Sequence, residues 1–149
     1  MARKCYIFGE YNAPSALLEP LMRKMEQHYT EYGVREFCVQ LSDNRFSILT
    51  LCAKERLEQK HPDLRLIDLV HADPTDGPVP LAEHFDGAIR FPEGANIPVQ
   101  MIGIADTAIC YAYPKGALRG LLQFARRCHR KGLILLDEIP PQRFRIVNM

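Results

Sequence analysis

The sequence of 149 residues lacks a charge imbalance, a long hydrophobic run and a closely spaced pair of cysteines. Nineteen basic side chains nearly cancel eighteen acidic ones, so no overall field favours nucleic acid or an anionic membrane surface. The longest apolar run, about six residues, is far short of the roughly 20 that cross a bilayer. We therefore expect neither a membrane nor a nucleic acid as a partner.

The cysteine pattern gives no indication of a metal site. No two cysteines have the spacing of zinc ligands, and most have apolar neighbours. We interpret them as small buried hydrophobes, which suits a reducing, cytoplasmic location. The cysteines are Cys5, Cys38, Cys52, Cys110 and Cys128. The sequence predicts no metal and no cofactor.

What the sequence does contain is a series of short apolar runs separated by helical patterns. In the last third, the apolar run Thr107 to Tyr111 is followed by the turn Pro114-Lys115-Gly116, an amphipathic helix, and a further strand from Leu133 to Leu136. Two strands joined by a helix predict parallel pairing, because the connection must cross the face of the sheet. Gly120 in this helix is expected to let helix and strand approach closely.

The same alternation extends over the whole chain. Further strands are predicted at residues 5–9, 35–41, 64–70 and 87–91, and further helices at residues 14–32, 46–57 and 98–105. A proline-rich surface loop is predicted at residues 73–80. We predict one α/β domain over residues 1–149, a Rossmann-like three-layer α/β/α sandwich with a mainly parallel sheet, and an irregular tail at residues 140–149.

Polar residues after the predicted strands form the candidate binding site, because open parallel sheets bind ligands at the carboxyl ends of their strands. The candidate residues are Gly9, Glu10, Tyr11, Ser42, Asp43, Asn44, Arg45, Lys115, Gly116 and Ala117. Amides at the start of the second helix, together with Arg45, would hold an anion, and Glu10 would contact a ribose or an amine. Alternatively, Ser42 or Asp43 only caps the helix and Lys115-Gly116 is a simple turn. His71 follows the third strand and would face the same crevice or serve the structure alone.

Three segments carry a family resemblance: Phe8-Gly9-Glu10-Tyr11 at the end of the first strand, residues 60–67 at a helix-to-strand junction, and residues 100–137 across the last two strands. They resemble the SLOG superfamily of Rossmann-like domains, which includes DNA-processing protein A and the LOG phosphoribohydrolases. The most similar branch contains small bacterial and phage proteins of unknown function. The resemblance implies a nucleotide or nucleotide-derived ligand at the strand ends.

The motifs of the enzymatic relatives are absent. Where those relatives have the phosphate loop Gly-x-x-x-Gly-x-Asp, this chain has Leu41, Arg45 and Ser47. The later loop keeps a proline and a glycine of their second motif but not its glutamate, and Gln123 cannot replace a general base. We predict no catalytic residue and a binding module without strong catalysis. The alternatives are a phosphoribohydrolase of nucleoside monophosphates and a scaffold that pairs two copies of the chain.

Overall fold

The centre of the fold is a six-stranded parallel sheet. The computed structural model describes residues 2–40, 42, 44–72 and 84–141. The strand order is β4-β3-β2-β1-β5-β6, and all five neighbouring pairs run parallel. The strands are β1 (Arg3–Gly9), β2 (Val34–Val39), β3 (Arg65–His71), β4 (Gly87–Phe91), β5 (Thr107–Tyr111) and β6 (Leu135–Glu138). The predicted α/β, Rossmann-like fold is confirmed.

In the part of the chain that the structure describes, four α-helices cover the two faces of the sheet: α1 (Leu18–Glu31), α2 (Arg45–Leu57), α3 (Ile97–Ile104) and α4 (Arg119–Arg130). Successive residues of β1 point to opposite faces, so Cys5 and Ile7 join the core under α1 and α2, while Tyr6 and Phe8 join the core under α3 and α4. The sheet therefore separates two hydrophobic cores. Within the described residues, no helix is both long enough and apolar enough to cross a membrane.

The helix that the sequence predicts around Pro20 begins just before that proline. A short 3-10 turn (Ser15–Leu17) leads into α1, which places Pro20 in the first helical turn. The amides of this turn have no partner inside the helix, so the missing N–H of proline costs no helical hydrogen bond. Gly33 follows the helix with a φ of 71°, a conformation that glycine adopts without strain.

The final strand starts at Leu135, not at Leu133 as predicted. Gly132 has a φ of 73°, and the amide of Leu133 donates to the carbonyl of Cys128 at 3.0 Å. These features form a Schellman stop, so Leu133 belongs to the end of α4 and is 66% exposed. The prediction for Gly120 is also wrong, because a Cβ added there would meet nothing within 4 Å. The predicted loop at residues 73–80 and the tail after residue 141 lie outside the described residues.

A polar network inside the core links α1 to the last two strands. His28 is fully buried, with Nδ1 2.8 Å from Oγ1 of Thr107 and Nε2 3.0 Å from Oδ2 of Asp137. Nζ of Lys24 lies 2.8 Å from the other oxygen of Asp137. Since a carboxylate only accepts, Nε2–H donates to it, and Nδ1 forms the hydrogen bond with the Thr107 hydroxyl. Every polar atom of the buried imidazole is thereby satisfied.

Candidate functional site

The chain reverses its direction of travel across the sheet at β1. Strands β2, β3 and β4 extend to one side of β1, and β5 and β6 to the other. Gly9 at the end of β1 lies opposite Tyr111 at the end of β5. The loops that follow these two strands leave in opposite directions, which opens a crevice at the carboxyl edge where such sheets bind ligands.

A cavity of about 330 Å³ lies at this edge. This volume is at the lower end of the range for small-molecule sites. Six of the ten predicted site residues line the cavity: Gly9, Glu10, Tyr11, Ser42, Asn44 and Ala117. Arg45, Lys115 and Gly116 do not line it, and Asp43 lies outside the described residues. The strand ends therefore do converge, but without the two cations expected at the site.

Glu10 is a buried carboxylate at the end of β1. The residue as a whole is 3% exposed. Its Oε1 accepts a hydrogen bond from the amide of Tyr113 at 3.1 Å. The amide of Glu10 donates to the carbonyl of Tyr111 at 2.8 Å. Both contacts hold Glu10 against the segment that follows β5. The carboxylate is thus fixed in position at the cavity, with an acceptor oxygen that an entering donor can use.

Protein side chains already occupy the space beside the two predicted glycines. A Cβ added at Gly9 would lie 2.2 Å from Cε1 of Phe46, so the aromatic ring of α2 rests directly on the strand end. A Cβ added at Gly116 would lie 2.4 Å from Oε1 of Glu10. Bare backbone lets a phosphate approach closely only where nothing else fills the space. Here an aromatic ring and a carboxylate fill it.

The amino terminus of α2 is capped from within the protein. Asn44 is the N-cap, and its Oδ1 accepts from the amide of Ser47 at 2.9 Å. The amide of Arg45 donates to the carbonyl of Tyr11 at 3.1 Å, and Oγ of Ser47 accepts from the amide of Ser42 at 3.2 Å. Two of the amides that would hold an anion already have partners. Asn44, rather than Ser42, provides the cap, and Asp43 lies outside the described residues.

Glu10 is the one charged side chain among the described residues that line the cavity. Tyr111 lies behind it, and its hydroxyl donates to the Tyr113 hydroxyl at a long distance of 3.4 Å. Burial, this hydrogen bond and the nearby charge of Glu10 raise the pKa of Tyr111 well above its usual range. Its hydroxyl therefore keeps its proton at neutral pH. The site combines a negative charge with neutral hydroxyl and amide groups.

Three residues that matter at the site escaped the sequence reasoning. Gln40 and Ser47 line the cavity, and Tyr113 holds Glu10 in place. Gln40 directly follows β2, but the sequence analysis placed it inside a strand predicted to run to residue 41, and Tyr113 lies two residues after β5, before the loop residues that were chosen. Ser47 lies in the first turn of α2, where a polar residue indicates capping before it indicates binding.

His71 is not part of the cavity, since its Nε2 lies 2.9 Å from the carbonyl of Ala95 and it is not a lining residue. Over the described ranges, no three His, Cys, Asp or Glu side chains are grouped in a way that could hold a metal ion. Comparison of the chain with protein-family models, curated proteins and solved structures gave no match. The SLOG resemblance therefore stays a prediction, and function must be inferred from the geometry.

Proposed function

We propose that the protein binds a nucleotide or a nucleotide-derived small molecule in the cavity at the β1–β5 edge, without strong catalysis. The observation that supports this proposal is Glu10, a buried carboxylate fixed at the topological switch point of the sheet. A carboxylate at the end of β1 can accept hydrogen bonds from paired ribose hydroxyls or from an amine.

The rest of the lining suits a ligand that has an apolar ring and a polar sugar. Leu118 and Leu121 of the α4 region and Pro98 of α3 provide apolar surface. The neutral polar side chains lie in the loop after β2 and at the start of α2, namely Gln40, Ser42, Asn44 and Ser47. Small-molecule sites typically combine such apolar surface with a few polar groups that fix the orientation of the ligand.

The described lining residues offer Glu10 few titratable partners for acid–base catalysis. General acid–base catalysis needs a titratable partner at hydrogen-bond distance from the reacting group. Among the described lining residues, Glu10 is accompanied by only two other titratable groups, Tyr6 and Tyr11. Burial raises the pKa of Tyr6 far above neutrality, and Tyr11 is 63% exposed. This composition favours binding over turnover.

Thermal-shift and calorimetric titration test the proposal with the four ribonucleosides, their 5′-monophosphates, ADP-ribose and nicotinamide dinucleotides. We expect at least one of these compounds to raise the melting temperature as its concentration rises. Ala117→Trp, which fills the cavity from an exposed position, should abolish the shift. Ala88→Trp, at an exposed position of β4, is the matched control and should keep it. A complete lack of binding at millimolar ligand would contradict the proposal.

The same samples separate binding from the hydrolase alternative. Chromatography of the monophosphate mixtures would detect free base if the glycosidic bond were cleaved. We expect none above the background of buffer alone. Release of free base that disappears in Glu10→Gln would instead identify a phosphoribohydrolase, because the amide cannot act as the base.

Pairing of two copies is a second candidate function, and one observation favours it. Val99 and Ile104 are large apolar side chains on α3 that are 40% and 56% exposed. Light scattering at high protein concentration measures the mass directly. A dimer that dissociates in Ile104→Glu would support the scaffold, and a monomer throughout would contradict it.

A further inference from the structure

We propose that the cavity takes the uncharged, hydrogen-bond-donating end of its ligand and rejects a phosphate at the strand tips. In this inference, which rests on the proposed function, the group that faces Glu10 is a ribose diol or an amine. Any phosphate on the ligand points away from the sheet or is absent. The expected ligand class is therefore a nucleoside, or a nucleotide that enters by its nucleoside end.

The first support is the charge at the cavity. Glu10 is buried and held by the Tyr113 amide at 3.1 Å, so displacing its carboxylate to make room for an anion would break this hydrogen bond. Arg45 and Lys115, the cations predicted for the site, do not line the cavity. A phosphate at the strand tips would face a fixed negative charge without a compensating cation among the described lining residues. Like charges so placed oppose binding strongly where little water screens them.

The second support is that other side chains already occupy the space beside the two glycines at the strand ends, Gly9 and Gly116. In a phosphate cradle, glycine leaves open space in which phosphate oxygens reach main-chain amides. The ring of Phe46 fills this space at Gly9, and the carboxylate of Glu10 fills it at Gly116. Both positions need glycine because another part of the protein packs there. The Cβ side of each glycine is therefore closed to a phosphate.

The third support is the state of the α2 terminus that faces the cavity. At α2, the amides of Arg45 and Ser47 donate to Tyr11 and to the Asn44 cap. The α4 terminus is paired less completely and adds no such support: its first amide donates to the carbonyl of Gly116 at 3.1 Å, but no side chain caps it. A helix terminus attracts anions mainly through amides that still lack partners. The lining then presents neutral hydroxyl and amide side chains together with Glu10, a set that complements donors rather than phosphate oxygens.

Calorimetry with matched pairs tests the inference, each pair being a ribonucleoside and its own 5′-monophosphate. The base and ribose are constant within a pair, so the ratio of the two affinities reports the phosphate alone. Near neutral pH we expect the nucleoside of the bound pair to bind about tenfold more tightly than its monophosphate, or more. Equal or tighter binding of the monophosphate by the wild-type protein would overturn the inference and leave the proposed function standing.

Glu10→Gln assigns the discrimination to one side chain. The amide keeps an oxygen for the Tyr113 N–H but removes the negative charge. We expect the nucleoside to lose affinity and the preference over the monophosphate to shrink to within about threefold. Glu93→Gln, an exposed glutamate in the turn after β4, is the control and should keep the wild-type ratio. An unchanged ratio in Glu10→Gln would also overturn the inference. Failure of every nucleoside and nucleotide to bind would remove the proposed function itself.

Discussion

Replacement of Gly9 by alanine tests the packing that closes the end of β1. The added Cβ would lie 2.2 Å from Cε1 of Phe46, where ordinary van der Waals contacts begin at 3.4 Å. Phe46 is buried and packs in the core as well as lining the cavity, so its ring must retreat by about 1 Å from its packed position, at a cost of about 1–3 kcal/mol. The φ of Gly9 is not positive, so steric overlap rather than backbone strain sets this cost. Urea unfolding followed by far-UV circular dichroism measures the change.

A double-mutant cycle separates the ring from other effects. In a Phe46→Ala background the overlap is gone, so Gly9→Ala should become neutral or stabilise the protein by up to about 1 kcal/mol. Gly103→Ala in α3 is the control, because its Cβ would meet nothing within 4 Å, and it should raise stability by roughly 0.5–1 kcal/mol. An equal cost of Gly9→Ala in both backgrounds would refute the packing of Phe46 on Gly9.

Three further predictions concern other parts of the molecule. Burial alone would raise the pKa of Asp137, but hydrogen bonds from His28 and Lys24 outweigh it, so the pKa lies below its usual range. The associated stability is present above the ordinary pKa of an aspartate and is lost as the pH falls through the lower folded pKa. In urea titrations, Asp137→Asn should therefore cost about 1–3 kcal/mol at neutral pH and progressively less between about pH 5 and pH 3. A difference in unfolding free energy between wild type and variant that does not change with pH would contradict this. Thiol titration of the folded protein should show Cys52 and Cys128 reacting first. Burial raises the pKa of the other three thiols, those of Cys5, Cys38 and Cys110. Five equal reaction rates would contradict this prediction. Gly116→Ala should displace the Glu10 carboxylate and weaken nucleoside binding about tenfold in calorimetry, and unchanged affinity would contradict the position of Glu10.

Local pattern was sufficient for most of the fold. The sequence predicts β4 and β5 with the bounds that the structure gives, because each is a short apolar run between clear turn signals. The parallel direction follows from the helices between strands, because a helix that crosses the face of the sheet brings the chain back to start the next strand in the same direction. The last strand was placed too early because Leu133 is as apolar as a strand residue, and its role in the stop of α4 depends on the backbone of Gly132.

The site was predictable in outline but not in its contents. The rule that ligands bind at strand ends brought six predicted residues to the cavity, since it depends only on sheet direction. The rule cannot tell at which glycines another side chain already occupies the space beside the backbone. The ring of Phe46 covers Gly9 from the first turn of α2, and Glu10 meets Gly116 because β1 and β5 are neighbours. Both facts depend on contacts between segments that are distant in the chain.

The link between His28 and Asp137 makes early and late parts of the chain depend on each other. The two residues are 109 positions apart, and β1 obtains its second neighbour only when β5 is present. Before Asp137 has been synthesised, α1 can form, but no Asp137 carboxylate is present to accept the hydrogen bond from the N–H of His28. A nascent chain that stops before residue 137 must leave that nitrogen in water or bury it unsatisfied. Closure of this face therefore waits until residue 137 has been made, long after α1 can form.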